Sequence, residues 1–310
     1  MLIFVYTRLN DTTRAAIRQQ VSAFADVQFR SELPEHELES TFERADVVMG
    51  NVPPAWVARA PQTLQFWQLD SAGFDGYQNL RLSVPVANMG DFFAWPCAET
   101  IVAGIIGLYR HIHELAVLQH QRNWVGVPIR YKLGLLRRKR VVILGTGAIG
   151  QAVRTMLTGF ECEVNMLART DPRAELHSVD ELKAILPQTD LVINTLPGTA
   201  KGFFSADLIR AMPADGVYAN IGRGSTTDEP ALIEALQQGR LGGAVLDVTA
   251  TEPLPADSPL WAMPNVILTQ HTGGGQQTED EGKAAQFLRN LHRFRNGEPL
   301  ENPIDLSKGY

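Results

Sequence analysis

The chain has 310 residues, 45% of them apolar and 20% charged, and a formal charge of −6. That balance suits a folded protein long enough for two domains with separate cores, and it argues against a disordered chain or a general nucleic-acid binder. No apolar run approaches the ~18 residues of a membrane span, and the two cysteines, Cys97 and Cys162, make no CxxC pair and fit a reducing cytoplasm.

The leading apolar run, Leu2 to Tyr6, is cut off by Arg8; it is too short for the core of a signal peptide and reads as a first strand. Further short apolar runs, Asp46 to Met49, Leu64 to Leu69 and Val84 to Asn88, alternate with polar helix-like stretches such as Asp11 to Phe24. That alternation predicts a small α/β unit with a parallel sheet. Pro96, well placed in a first helical turn, opens one long helix from about Cys97 to His120. Its Ala103, Gly104 and Gly107 leave room for a close helix contact, in the core or across a subunit interface. Phe92, Phe93, Trp95 and Trp124 flank the expected hinge, where such rings either narrow a cleft or fill core. The basic run Arg137 to Arg140 reads as a solvated loop rather than a nucleic-acid patch.

From Arg140 onward strand and helix alternate through Val141 to Leu144, Glu163 to Ala168, Leu191 to Asn194, Val217 to Ile221, Gly243 to Asp247 and Val266 to Thr269. Six strands at this spacing predict a doubly wound nucleotide-binding sheet. A helix from Glu279 to Arg295 and a polar tail from Glu301 to Tyr310 follow. If that helix crosses back, both termini share one domain and a cleft separates the two. The expected division is a substrate domain of residues 1–96 and 277–310 and a dinucleotide-binding domain of residues 97–276.

Gly145-Thr146-Gly147-Ala148-Ile149-Gly150 follows an apolar strand directly and opens a helix, Gln151 to Leu157. In that context the first glycine permits the turn, the second lets backbone approach a pyrophosphate, and the third lets helix and strand pack. An acidic residue near the end of the second strand would mark NAD, but that place holds Ala168, followed by Arg169 and Thr170. A cation and a hydroxyl there favour the 2′-phosphate of NADP(H) over NAD(H), although Asp171 could face the ribose if the loop is longer.

Downstream stand Arg223, Glu252 and His271. Together they offer what reduction of a 2-keto acid needs. Arg223 would grip a carboxylate and polarise the adjacent carbonyl, His271 would protonate the carbonyl oxygen, and Glu252 would keep that imidazole oriented and protonated. Singly, each has a plainer reading as a salt-bridge partner, a loop residue or an interior histidine; their joint spacing behind a nucleotide loop argues for the set. The other histidines, His111 and His113 among them, lack partners at metal-ligand spacing, so no metal is expected.

Over nearly its whole length the chain resembles the D-isomer-specific 2-hydroxyacid dehydrogenases. Ser71-Ala72-Gly73-Phe74-Asp75 looks like that family's substrate-carboxylate loop, and Asn88 leads to Ala98-Glu99. The glycine loop, Asn220 to Gly224 with Asp228-Glu229, Asp247 to Pro253, and Thr269 to Gly274 follow in the family's order. The resemblance implies a Rossmann cofactor domain with a smaller flavodoxin-like substrate domain, and Arg223, Glu252 and His271 as the catalytic set. It further implies that the peptide N–H groups of Ala72 and Gly73, in the Ser71 loop, hold the substrate carboxylate, with Ile221, Gly222, Asp247, His271 and Gly273 around the nicotinamide. Leu196, Pro197 and Thr199 resemble the loop over the pyrophosphate, about two residues short before Lys201-Gly202. Gln270 stands where a proline is usual.

The absent NAD carboxylate, the short chain and the terminal Lys308-Gly309-Tyr310 look most like the NADPH-dependent glyoxylate/hydroxypyruvate reductases of the family. A cytoplasmic homodimer joined through the nucleotide-binding domain is the expected assembly, acting on a small keto or hydroxy acid with no nucleic-acid or membrane partner. Two rivals use the same fold. A dinucleotide-sensing regulatory protein predicts a degraded catalytic set or a partner-binding extension, and a hydrolase or synthase with internal NAD predicts further catalytic residues.

Overall fold

Two parallel sheets organise the chain, one in each of two units made of residues 1–92 with 276–310 and of residues 93–275. The expected boundaries were 96/97 and 276/277. The computed structural model describes residues 1–78 and 80–308, so Gly309 and Tyr310 of the terminal signature lie outside the described residues.

In the smaller unit β1 (Leu2–Val5), β2 (Asp26–Phe29), β3 (Val47–Met49), β4 (Phe66–Gln68) and β5 (Val86–Ala87) run parallel in the order β5-β4-β3-β1-β2. This is flavodoxin-like winding. Four of these strands sit inside the expected apolar runs, while β2 is missing from the sequence reading. It is an edge strand whose only fully buried side chain is Phe29, so it carries no apolar run to read. The helix Asp11–Val21 starts where Asn10 accepts the Thr13 N–H and ends before the expected Phe24; it buries Thr13, Ile17 and Val21, one turn apart.

The larger unit contains all six expected strands: β6 (Arg140–Leu144), β7 (Glu163–Leu167), β8 (Leu191–Asn194), β9 (Val217–Asn220), β10 (Gly243–Leu246) and β11 (Val266–Leu268). They are parallel throughout, in the order β11-β10-β9-β8-β6-β7, and a bridge from Leu167 to Leu176 extends the β7 edge. This is the doubly wound Rossmann arrangement, with its winding reversed between β6 and β8.

The single long helix expected from Cys97 to His120 is instead two helices, Ala94–Tyr109 and Ile112–His120, bent by 72°. His111 sits between them at φ 52, in the left-handed region that interrupts the hydrogen-bond ladder. The first helix buries Ile101, Val102, Ile105 and Leu108, and the second buries nothing. Apolar residues continue through both, which is why periodicity did not reveal the break. A Cβ on Gly104 would lie 2.5 Å from Val245 Cγ1, so this glycine answers to the core against β10. Ala103 is exposed.

The helix Glu279–Arg295 has the expected bounds and returns the chain to the smaller unit, where β12 (Pro303–Ile304) adds antiparallel to β5. Buried amides fasten it. Asn290 Nδ2 donates to Gln68 Oε1 at 2.7 Å, Asn290 Oδ1 accepts the Glu301 N–H at 2.7 Å, and Gln286 and Gln68 both donate to the Asn88 carbonyl. Asn290→Leu strands the buried Gln68 oxygen and the Glu301 N–H, so the unfolding free energy should fall by about 2 kcal/mol or more. An unchanged urea midpoint would show that these bonds contribute nothing net.

Candidate active site

The loop after β6 begins at Gly145 with φ 103, where a Cβ would meet Thr195 Oγ1 at 2.8 Å. A Cβ on Gly150 would lie 2.6 Å from the Gly145 carbonyl, so loop and helix touch through bare backbone. Gly147 differs: it precedes the helix Ala148–Thr158, and no atom lies within 4 Å of where its Cβ would be. Open space over a helix N-terminus, floored by glycine backbone, fits the pyrophosphate of a dinucleotide. Because β6 and β8 flank the reversal of winding, this loop and the exposed or half-buried stretch Leu196, Pro197 and Thr199 border one crevice. Ile149 packs against the core behind it.

At the end of β7, Ala168 is held by backbone bonding to Leu176, and Arg169 and Thr170 are exposed. Asp171 accepts the Thr146 hydroxyl at 2.7 Å and is gripped by Arg173 through Nε, Nη2 and the backbone N–H. The Arg173 guanidinium, then its N–H and the Thr146 hydroxyl, hold the Asp171 carboxyl well below the usual carboxylate range.

Arg223, Glu252 and His271 follow β9, β10 and β11, three strands that pair side by side. All three therefore leave the carboxyl end of one sheet in adjacent loops. His271 Nδ1 lies 2.6 Å from Glu252 Oε2, and Glu252 Oε1 accepts the Thr249 N–H at 3.0 Å, which turns the carboxylate toward the ring. His271 Nε2 has no protein partner among the described residues. A cavity of about 410 Å³ opens beside the pair, lined by Asp247, Glu252, Leu254, Trp261, Leu268 and His271 among others.

Asp247 sets this turn. Its buried Oδ1 accepts the Thr269 hydroxyl at 2.6 Å and the Thr272 and Gly273 N–H groups at 3.1 Å each, and its carbonyl accepts the His271 N–H at 2.6 Å. Gln270 and His271 are thereby held at φ 55 and 56. A proline ring cannot adopt that φ, so the local backbone accounts for Gln270 where the family pattern has proline. Gly273 packs so closely that a Cβ would lie 2.5 Å from Ile221 Cδ1.

The Arg223 backbone is equally tied down. Its carbonyl accepts from Asn220 Nδ2 at 3.2 Å and from Thr226 Oγ1 at 2.5 Å, and Gly222 N–H donates to Asn220 Oδ1 at 3.0 Å. Behind these stand Asn194, donating to Tyr218 and Thr226, and the Tyr218–Thr227 hydroxyl pair, all buried. Burial pushes the Tyr218 phenol up, so it stays a neutral hydroxyl. Gly224 lets the neighbouring loop in: a Cβ there would sit 1.9 Å from the Thr249 carbonyl oxygen, which joins the Arg223 turn to the loop carrying Glu252. The sequence reading missed this scaffold, although asparagines closing two apolar strands are a visible signal. Nearby, burial and then the Asp247 charge push the Cys97 thiol up to about 11, against the opposing pull of Arg223.

In the smaller unit Ser71 Oγ donates to the Gly73 carbonyl at 2.6 Å and accepts from Asn51 Nδ2, while Asn88 Nδ2 donates to the Ala72 carbonyl at 2.6 Å. The loop is braced through its carbonyls. The Ala72 and Gly73 N–H groups have no acceptor among the described residues. Of the four aromatic residues, Phe93 packs on the core of the larger unit and Phe92 lies against Gly282, whereas Trp95 and Trp124 are exposed.

Comparison with known proteins identifies the family. Residues 102–273 match the model of the D-isomer specific 2-hydroxyacid dehydrogenase NAD binding domain. A glyoxylate/hydroxypyruvate reductase A of Salmonella heidelberg is 30% identical over 240 residues, 74% of each chain. A D-isomer specific 2-hydroxyacid dehydrogenase family protein of Aeromonas salmonicida superposes with TM-score 0.83 at 28% identity, over 98% of this chain and 99% of that one. A D-isomer specific 2-hydroxyacid dehydrogenase of Xanthobacter autotrophicus, solved with NADPH and MES, superposes at 0.80 with 26% identity, over 100% and 99%. With a glycine cradle at the winding reversal and an arginine, a glutamate and a histidine on three adjacent strand ends, the chain belongs to the D-isomer-specific 2-hydroxyacid dehydrogenases, enzymes that depend on NAD(P).

Proposed function

We propose that this enzyme reduces a small 2-keto acid of the glyoxylate/hydroxypyruvate type to the D-2-hydroxy acid, with NADPH preferred to NADH. The observation that carries the reading is the 2.6 Å Glu252–His271 contact, with Arg223 on the adjoining strand end. A protein that merely senses dinucleotide has no need of it.

Gly145, Gly147 and the N–H groups opening the Ala148 helix would hold the pyrophosphate; Ile221, Gly222, Gly273 and Asp247, whose Oδ2 accepts no hydrogen bond among the described residues, would line the nicotinamide. When bound, the reduced nicotinamide supplies the hydride. Arg223 pairs with the substrate carboxylate and draws electron density from the adjacent carbonyl. His271 has Nδ1 committed to Glu252, which leaves Nε2 to deliver the proton to the carbonyl oxygen. On the smaller unit, the Ala72 and Gly73 N–H groups, which have no acceptor among the described residues, suit a carboxylate as well. Arg169 and Thr170, exposed beyond β7, suit a 2′-phosphate, and the Xanthobacter relative was solved with NADPH.

We also propose a cytoplasmic homodimer joined through the nucleotide-binding unit. Both cysteines are free thiols, and residues 112–135 of that unit expose Ile112, Val117, Trp124, Val127, Tyr131 and Leu135, with Trp124 94% accessible. So much apolar surface on one segment calls for a cover.

NADPH oxidation should accelerate with glyoxylate or hydroxypyruvate in a panel of 2-keto acids; silence across the panel would sink the activity, and a higher kcat/KM for NADH would sink the cofactor assignment. Glu252 orients the His271 ring, so Glu252→Gln should lower kcat/KM for the 2-keto acid about tenfold or more, and an unchanged kcat/KM counts against the role of Glu252. Sedimentation equilibrium should give twice the chain mass, reduced to the single-chain mass by Val117→Asp with Leu135→Asp; a wild-type monomer refutes the dimer.

A further inference from the structure

The carboxylate nearest the glycine loop is already full. Asp171 stands three residues beyond Ala168, tied to Thr146 of the loop, and so close to where a carboxylate would receive the ribose hydroxyls of NADH. An ionised carboxylate offers about four acceptor positions. Asp171 Oδ2 accepts the Thr146 hydroxyl at 2.7 Å, Arg173 Nη2 at 2.6 Å and Arg173 Nε at 3.1 Å; Oδ1 accepts Arg173 Nε at 3.0 Å and the Arg173 N–H at 2.9 Å. Nothing is left for a ribose.

The electrostatics point the same way. A bare carboxylate here would repel a 2′-phosphate. Paired with Arg173 it is neutralised, and the exposed Arg169 leaves the mouth of the loop net positive. The pair is anchored rather than floating, because Thr146 is buried within the glycine loop and the Arg173 N–H closes a short turn on Asp171.

We propose that Arg173 masks Asp171, turning a carboxylate suited to the ribose of NADH into the support of a cation for the 2′-phosphate of NADPH, and that this pair sets cofactor choice. The inference rests on the NADPH reading above and adds a sign that plain phosphate contact lacks. Losing a plain contact weakens NADPH and leaves NADH alone. Losing a mask weakens NADPH and strengthens NADH, because Asp171 is released.

Isothermal titration of the enzyme with NADPH and with NADH, without substrate, separates these. In Arg173→Ala the NADPH Kd should rise about tenfold or more and the NADH Kd should fall about threefold or more. Arg173→Gln, which keeps side-chain bulk on this exposed loop, should move both constants in the same directions. Asp171→Ala added to Arg173→Ala should abolish the NADH gain. Unchanged or weaker NADH binding in both single variants overturns the mask, as does an NADH gain that survives in the double variant. Tighter binding of NADH than NADPH by the wild-type protein overturns instead the NADPH reading on which the inference rests.

Discussion

The chemistry proposed for this protein hangs on parallel pairing among β9, β10 and β11. Because the strands run the same way and in register, Asn220, Leu246 and Leu268 come level, and the loops that leave them carry Arg223, Glu252 and His271. Residues 48 positions apart in the chain, 223 and 271, thus leave the same edge of the sheet on the two strands that flank β10. Pairing brings the loops to one edge but does not aim side chains. That task falls to a second layer of buried polar groups.

Asp247 shows why the second layer is worth its desolvation. Two consecutive non-glycine residues in the left-handed region, Gln270 and His271, cost about 1 kcal/mol or more each. A buried carboxylate accepting three hydrogen bonds, each worth about 1.5 to 3 kcal/mol when charge-assisted, outweighs that strain. The Glu252–His271 pair is different in kind. Its side chains are 35% and 53% accessible, so water screens it and its value lies in orienting the ring rather than in stability.

Much of this was legible in the sequence, for identifiable reasons. Six apolar strands separated by helices, and a glycine loop between the first strand and helix, are local patterns, and both reappear in the expected order; Arg223, Glu252 and His271 were picked out for their chemistry, not for any local pattern. What escaped was non-local or amphipathic by neither rule. The edge strand Asp26–Phe29 buries too little to show, and the bend at His111 divides a run that stays apolar on both sides. The anchoring of Arg223 depends on Asn194 and Tyr218, whose roles exist only once β8 and β9 are paired. Gly104 was expected at a close helix contact, in the core or across a subunit interface; it meets Val245 of β10, which lies far along the chain.

Polar side chains that a motif assigns to ligands are here largely spent on loops. Thr146 donates to Asp171, Ser71 braces its own turn, and Asp247 commits one oxygen to the histidine turn. Under the proposed function, what remains for small molecules among the described residues of the larger unit is backbone N–H of the glycine loop, a few cations, and one imidazole nitrogen. Backbone donors cannot rotate away, and the Arg223 guanidinium is itself tethered where Nη1 donates to the Gly222 carbonyl at 2.9 Å. Recognition built this way places its cost in folding, where the loops are ordered, and little at the moment of binding, when reorganisation would otherwise be subtracted from the rate.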